Sequence, residues 1–520
     1  MHRLDVKFSV GMYDCIENLI TRLRNWPRFR FLVTLVVFAH WEEGSRAFAE
    51  RPNILYIFTD DQSRRSVSAY EEAHEWVQTP HIDALAASGL RFRTCYTGAS
   101  CQMSRSMMMT GRFQHAIKSF DTSRYPKCDY DPEVQPFWPA NFRANGYKTA
   151  CIGKWHLGED VGHGRDWDYS VIWDRGGPKE NGRAYYYGTL VRYNGGERVP
   201  LNGYSTDRYT ELAVDYIRNE SQGNEKPWFL WLCYGGVHAP FTEADRHNEL
   251  YADAPGAEIP EDVFGPRPTK PNHLVNYSRW EKDEDGKPAK FDGMVKKYNR
   301  AVASLDDGVG ALIQALKETG QLENTLVVYT SDQGFAWGQH GSREKWMAYD
   351  ANIAAPLIVS LPGTVMSDRV CEEPVNGLDI VRTFHRLAGI EPVMEMHGRD
   401  LSPLLKDPSK KLGEPLLLTH TARVYGETFL EHIKNGDWVG QEPKPAWLML
   451  RDGKFKYIRH MQEDTIEELY DLEADPEELT NLSVNPEYGS ILRSLRRKAA
   501  DEVWKKDGEF VDYLPKPKGA

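Results

Sequence analysis

Two stretches far apart in the sequence share one design, and that design narrows the fold more than any other feature of the chain. Asn53-Ile54-Leu55-Tyr56-Ile57-Phe58-Thr59 is a nearly continuous apolar run of strand length, ending in Asp60-Asp61-Gln62. Thr325-Leu326-Val327-Val328-Tyr329-Thr330-Ser331 repeats the pattern and ends in Asp332-Gln333-Gly334. A strand without polar alternation is covered on both faces, as in the parallel sheets of α/β proteins. Trp228 to Tyr234 and Pro356 to Ser360 are further runs of this kind. Helical patterns lie between them. Thr79-Pro80 reads as an N-cap and first helical residue, with Gly89 as terminator. Thr206 to Arg218 looks helical, and from Met294 apolar residues recur at spacings of three and four until Gly320. Strands alternating with helices predict an α/β fold around a central sheet.

Ligand sites in open α/β sheets sit at the carboxyl ends of the strands. Carboxylates there are costly unless something pairs with them. A solvated turn is the plainer reading of either acid pair alone; two strands ending alike favour a metal. Asp60, Asp61, Asp332 and Gln333 offer oxygen only. That suits a hard cation, Ca²⁺ or Mg²⁺ in its place, over Zn²⁺.

Other residues carry chemistry. Cys101 opens a short helical run closed by Thr110-Gly111, and Arg105 follows it by one helical turn. A helix start gathers unpaired N–H groups and the positive dipole end, so a cysteine there is placed to meet an anion. A buried cysteine capping a core helix is the competing reading. Lys154 and His156, two apart after a short strand, would point the same way in extended chain, able to bind an oxyanion and move a proton. His238 again follows a strand end, and His340-Gly341 with Lys345 follows the second acidic strand.

These pieces together resemble the type I sulfatases of the alkaline phosphatase superfamily. Cys101, Ser104 and Arg105 match their C-x-P-S-R signature and Thr110-Gly111-Arg112 its tail, while Met103 stands where the family usually has proline, less often alanine. Gly153-Lys154-Trp155-His156-Leu157-Gly158, His238-Ala239-Pro240 and Thr79-Pro80-His81-Ile82-Asp83 match further motifs, and Gln333 replaces a usual asparagine. The resemblance implies an alkaline-phosphatase-like sandwich with a central mixed sheet and a small C-terminal α+β subdomain. It implies hydrolysis of a sulfate monoester, on a sulfated carbohydrate or an aryl sulfate. Cys101 would be oxidised to formylglycine (3-oxoalanine) by a formylglycine-generating or anaerobic sulfatase-maturing enzyme. The hydrated aldehyde would attack sulfur and form a covalent sulfate. Asp60, Asp61, Cys101, Asp332 and Gln333 would hold the metal. Arg105, Lys154 and Lys345 would grip the sulfate, His238 with Lys345 would protonate the leaving alcohol, and His156 would take the proton that expels sulfate. Two rivals stand beside this reading. One is a phosphomonoester or phosphonate hydrolase of the same superfamily. The other is a non-catalytic carbohydrate-binding relative, motivated by Met103 and Gln333.

The chain's net charge of −12 argues against a nucleic-acid partner. Seven scattered cysteines do not make a disulfide scaffold. Residues 1–49 read as a signal peptide: Arg22, Arg24, Arg28 and Arg30 precede the apolar run Phe31 to Trp41, and Ala47-Phe48-Ala49 offers a cleavage site. That run is too short to span a bilayer. The expectation is an exported protein, periplasmic or secreted, with no membrane span after cleavage. A catalytic domain over 50–400 and a C-terminal subdomain over 401–520 complete the plan. Residues 159–205 read as long loops rich in Gly, Tyr and Arg, whose aromatic rings suit a sugar; residues 251–293 read as a proline-rich lid or surface excursion.

Overall fold

The computed structural model describes residues 51–518 except 123, 221–225, 438–439 and 442–443, so the expected signal segment lies outside the described residues. An eleven-stranded sheet runs through the molecule. Its labelled strands are β1 (Asn53–Thr59), β2 (Leu90–Tyr96), β3 (Lys148–Lys154), β4 (Tyr169–Trp173), β5 (Leu190–Tyr193), β6 (Arg198–Pro200), β7 (Trp228–Cys233), β8 (Thr325–Ser331), β9 (Ala354–Ser360) and β10 (Arg369–Cys371). Their order is β10-β2-β9-β8-β1-β7-β3-β4-β5-β6, and the short strand Val375–Asn376 also pairs with β2. The centre, β8-β1-β7-β3-β4, is parallel; β9, β5 and β6 run antiparallel to their neighbours, so the sheet is mixed.

The apolar run of β1 is buried along its whole length because the strand is covered twice. Ile54, Tyr56 and Phe58 enter one core, with Met107, Met108 and Phe384. Those partners belong to α2 (Cys101–Thr110) and α5 (Gly377–Ala388). Leu55 and Ile57 enter the other, with α1 (Pro80–Ala87), α3 (Ser205–Glu220) and α4 (Phe291–Glu318). Successive strand side chains point to opposite faces, so one sequence feeds both layers.

A second sheet of four antiparallel strands lies in the C-terminal part, in the order β11 (Leu416–His420), β12 (Trp447–Asp452), β13 (Phe455–His460) and β14 (Glu468–Asp471). Its helix, α6 (Gly489–Trp504), buries Leu495, Ala499 and Val503. The expected hairpin is present, with Asp452 opposite Phe455 across the turn. The sheet is tied to the body by a buried polar cluster. Glu468 accepts from Tyr349 at 2.7 Å and lies 2.7 Å from His460, while Lys270 donates to Tyr470 at 2.7 Å.

Two expectations need correction. Residues 159–205 are not only loops: β4, β5 and β6 extend the main sheet, and their short lengths hid the signal. Residues 251–293 are not a bare excursion either, since Arg267, Lys270, Leu274 and Trp280 are buried. Among the described residues no helix is long and apolar enough to cross a membrane.

Candidate active site

Register brings the two acidic strand ends together. Thr59 of β1 lies opposite Ser331 of β8, so Asp60-Asp61 and Asp332 leave the sheet side by side. The backbone confirms the match: Asp332 N–H donates to Thr59 O at 3.1 Å, and Asp61 N–H to Asp332 Oδ1 at 3.1 Å. Three carboxylates thus share a buried floor at the carboxyl edge of the parallel strands.

α2 aims its first residue at that floor. Ser100 is extended, at φ −164°, and the helix starts on Cys101. Cys101 Sγ stands 3.2 Å from Asp60 Oδ1, 3.7 Å from Asp61 Oδ1 and 2.7 Å from Lys345 Nζ. One ligand atom from each of Asp60, Asp61, Cys101 and Asp332 fits within 4.8 Å of all the others, a group able to hold a metal ion. One turn along α2, the Arg105 guanidinium forks onto Asp332 Oδ2 at 3.1 and 3.0 Å and donates to Lys154 O at 2.7 Å. Gly111 closes the helix at φ 69°, where its N–H reaches Met107 O at 2.8 Å, a left-handed cap that glycine adopts without penalty.

Cations answer the acids one for one. Lys154 pairs with Asp60, Lys345 with Asp61 at 2.6 Å, and Arg105 with Asp332. Burial pushes the Asp60 carboxyl upward, but Lys154 and then His238 and Lys345 hold it well below the usual carboxylate range. Asp332 is raised to about 7 by burial and by Asp60, against the pull of Arg105. Burial, then Asp332 and Asp60, push the Cys101 thiol up to about 12. Gln333 Nε2 donates to Asp61, while its Oε1 lies 3.4 Å from Ser104 Oγ. The amide oxygen, expected as a metal ligand, therefore faces α2 in this arrangement.

The histidines sit higher. His238 stacks face to face on Tyr185, centroids 3.9 Å apart and rings 5° from parallel, with Nε2 3.6 Å from Asp61 Oδ2. Burial lowers its pKa to about 4 although Asp61 pulls the other way. His156 does not follow the extended-chain argument. β3 ends at Lys154, and His156 has φ 62°, so strand alternation no longer sets its direction. Its ring meets Arg175 Nη1, 2.8 Å from Nε2, and burial followed by that guanidinium keeps it well below the ordinary histidine value. It lines the cavity above Cys101 without a contact to the acids.

That cavity has a volume of about 1100 Å³ and is lined by Cys101, Met103, Tyr125, His156, Tyr185, His238 and Lys345 among others. Sequence reasoning placed nine site residues in or beside one another: Asp60, Asp61, Cys101, Arg105, Lys154, His238, Asp332, Gln333 and Lys345. It missed Arg175 and Tyr185, which sit in the segment read only as Gly-, Tyr- and Arg-rich loops. Of the aromatic rings there, Trp167 and Trp173 are fully buried core, and Tyr185 is the one that reaches the cavity wall beside His238.

A mixed sheet between helices, with this acid- and lysine-lined floor at the ends of its parallel strands, defines the alkaline-phosphatase-like class of α/β proteins. Within that class the sulfatase family model matches residues 52–390, and the chain belongs to that family, the sulfuric ester hydrolases. A second model, N-sulphoglucosamine sulphohydrolase C-terminal, matches residues 338–505. The N-acetylglucosamine-6-O-sulfatase of Bacteroides thetaiotaomicron is 26% identical, over 86% of this chain and 85% of its own length. The choline-sulfatase of Rhizobium meliloti is 26% identical, over 84% and 83%. The solved structure of BT4656 in complex with its substrate D-glucosamine-2-N,6-O-disulfate shares the fold, with a TM-score of 0.74 and 22% identity, over 88% of this chain and 99% of that one.

Proposed function

We propose that the protein is an exported, divalent-cation-dependent sulfatase that removes sulfate from a sulfated carbohydrate, using a formylglycine made from Cys101. The observation that carries this reading is the position of Cys101: its Sγ lies 3.2 Å from Asp60 and 2.7 Å from Lys345, at the base of a cavity of about 1100 Å³. Formylglycine, when present, supplies a hydroxyl nucleophile from its hydrated aldehyde.

The donor set fits a hard cation. Asp60, Asp61 and Asp332 converge with carboxylate oxygens on a buried floor beside Cys101, and the Gln333 amide would join them by turning its oxygen from Ser104 toward Asp61. Ca²⁺ is the assigned ion, with Mg²⁺ in its place as the alternative. Such an ion would polarise the sulfuryl oxygens. Asp60 and Asp61 would hold the cation, and Lys154 and Lys345, which pair with them here, would then be available to the substrate's sulfate. Arg105 fixes Asp332 and the end of β3, which keeps these groups in place as charge develops. His238, held flat by Tyr185, is neutral here and would donate with Lys345 to the leaving oxygen after taking up a proton, which the negative charge of the incoming ester favours. His156, kept neutral by burial and Arg175, accepts the proton that releases sulfate. Carbohydrate is favoured by two of the relatives above, the N-acetylglucosamine-6-O-sulfatase and BT4656 with its disulfated glucosamine. The boundary between catalytic domain and C-terminal subdomain is assigned near residue 400, and the basic, apolar and Ala-x-Ala succession of residues 1–49 supports export.

The test is mass spectrometry of the tryptic peptide Thr94–Arg105 from protein made in its native host, reduced and alkylated. Cys95 lies in the same peptide as an internal control. Alkylation of Cys95 alone, with Cys101 having exchanged sulfur for a carbonyl oxygen, is the expected result. Two alkylated cysteines, or no sulfate release from any aryl or sugar sulfate by modified, Ca²⁺-loaded protein, would overturn the proposal.

A further inference from the structure

One feature of the cavity exceeds what a single sulfate ester needs. Arg183, Lys290, Lys297, Arg343 and Arg423 line its wall and mouth, and no aspartate or glutamate does. Acids outnumber bases 76 to 64 in the whole chain, so this is a local reversal of the protein's charge. Among the described residues none of the five forms an ion pair with a carboxylate, whereas Lys154, Lys345 and Arg105 on the floor all do. The five come from separate parts of the fold. Arg183 follows β4, Lys290 and Lys297 flank the start of α4, Arg343 follows β8, and Arg423 follows β11 of the C-terminal sheet. Arg343 is exposed, its guanidinium 5.4 Å from the centre of the Trp280 ring, and Arg423 is exposed too. Like charges gathered on one concave surface repel each other, and a low-dielectric cleft focuses their field on whatever anion enters. The volume, about 1100 Å³, also lies just past the upper end for small-molecule sites, leaving room beyond the reacting ester.

We propose that this rim is an anion subsite, and that the preferred substrate carries a second negative group, sulfate or carboxylate, beside the sulfate that is removed. The inference rests on the sulfatase reading and adds the substrate's charge pattern to it. Guanidinium groups suit either anion through paired N–H donors.

The experiment compares kcat/KM of the matured, Ca²⁺-loaded full chain on four substrates: a monosulfated hexosamine, its disulfated counterpart, a monosulfated disaccharide bearing a uronate, and p-nitrophenyl sulfate. At low ionic strength at least one doubly charged sugar should be preferred over the monosulfated one by about tenfold, the scale of one added charge-assisted contact. The disulfate and uronate arms separate the two sources of the second anion. The preference should shrink as salt is raised, because exposed charges are screened. In R343Q/R423Q the ratio of doubly to singly charged substrate should fall to about threefold or less. Equal kcat/KM for singly and doubly charged sugars, or a preference untouched by both salt and the double variant, would overturn the subsite. Turnover of p-nitrophenyl sulfate alongside such equality would reject the subsite and leave the sulfatase reading standing. Silence on all four substrates would reject both. The salt series on the natural chain gives an answer independent of how the variant folds.

Discussion

Arg105 offers the sharpest test of how the site is held together. Its side chain and that of Asp332 are 0% exposed, and two guanidinium N–H groups meet one carboxylate oxygen at 3.1 and 3.0 Å. Arg105→Met would leave Asp332 buried, uncompensated and beside Asp60. Removing one partner of a buried pair costs about 3–5 kcal/mol. For a chain of this size the urea dependence is about 3 kcal/mol per molar, so the unfolding midpoint should fall by about 1–1.7 M. Equilibrium unfolding in urea with a metal chelator, followed by tryptophan fluorescence, measures the shift. R105M/D332N removes the orphaned charge and should regain about 2 kcal/mol or more relative to the sum of the single variants. Arg105→Lys keeps the charge but loses the fork and the bond to Lys154 O, and should fall between the extremes. A midpoint shift of less than about 0.3 M for Arg105→Met, or strict additivity in the double variant, would refute the reasoning.

Three further outcomes are expected. Tyr185→Ala removes the ring stacked on His238 and should lower kcat about tenfold, whereas Tyr185→Phe keeps the ring and should stay within about twofold; steady-state kinetics on an aryl sulfate decides. Met103 is the third residue of α2, in the first turn where proline is tolerated, so Met103→Pro should cost no more than about 2 kcal/mol of buried side chain and should raise formylglycine yield, read by the same peptide mass spectrum. Glu468 is buried, yet His460 and then Lys270 hold its carboxyl down to about 2 against the push of burial. Its folded pKa lies below the unfolded value, so it adds stability above about pH 4.5 that is lost as pH falls toward 2. The increment is about 3 kcal/mol, and Glu468→Gln should flatten the acid-unfolding profile in that window. Parallel profiles for the two proteins would rule the contribution out.

Much of the centre of the fold was legible because burial on both faces leaves a plain trace. The seven residues of β1 and of β8 are the apolar runs read from the sequence, to the residue. α4 was legible from Met294 but begins at Phe291, since Asp292 and Gly293 interrupt the apolar spacing and its N-cap, Lys290, lacks a capping side chain. β5 and β6 were not legible. They are short, partly exposed strands at one margin of the sheet, and a few residues of mixed polarity carry no usable period. His156 shows a different limit. Alternation put it beside Lys154, but the chain leaves extended geometry at the strand end, and only the fold reveals that Arg175 is its partner.

The sequence by itself determined the class of fold, the acids that end two buried strands, and the cysteine that heads a helix. These are local facts: periodicity, residue type and spacing along one chain. Tertiary structure decided everything that depends on register. Opposing Thr59 to Ser331 turns two separate acid pairs into one floor, and packing α2 above it puts Cys101 within 3.2 Å of Asp60. It also decided the charge of the cavity. Arg183, Lys297, Arg343 and Arg423 lie far apart in an acidic chain, and only the convergence of four loops and helix ends makes them one positive surface. No pattern along the chain encodes that sum, because electrostatic potential depends on distances in space and not on separation in sequence.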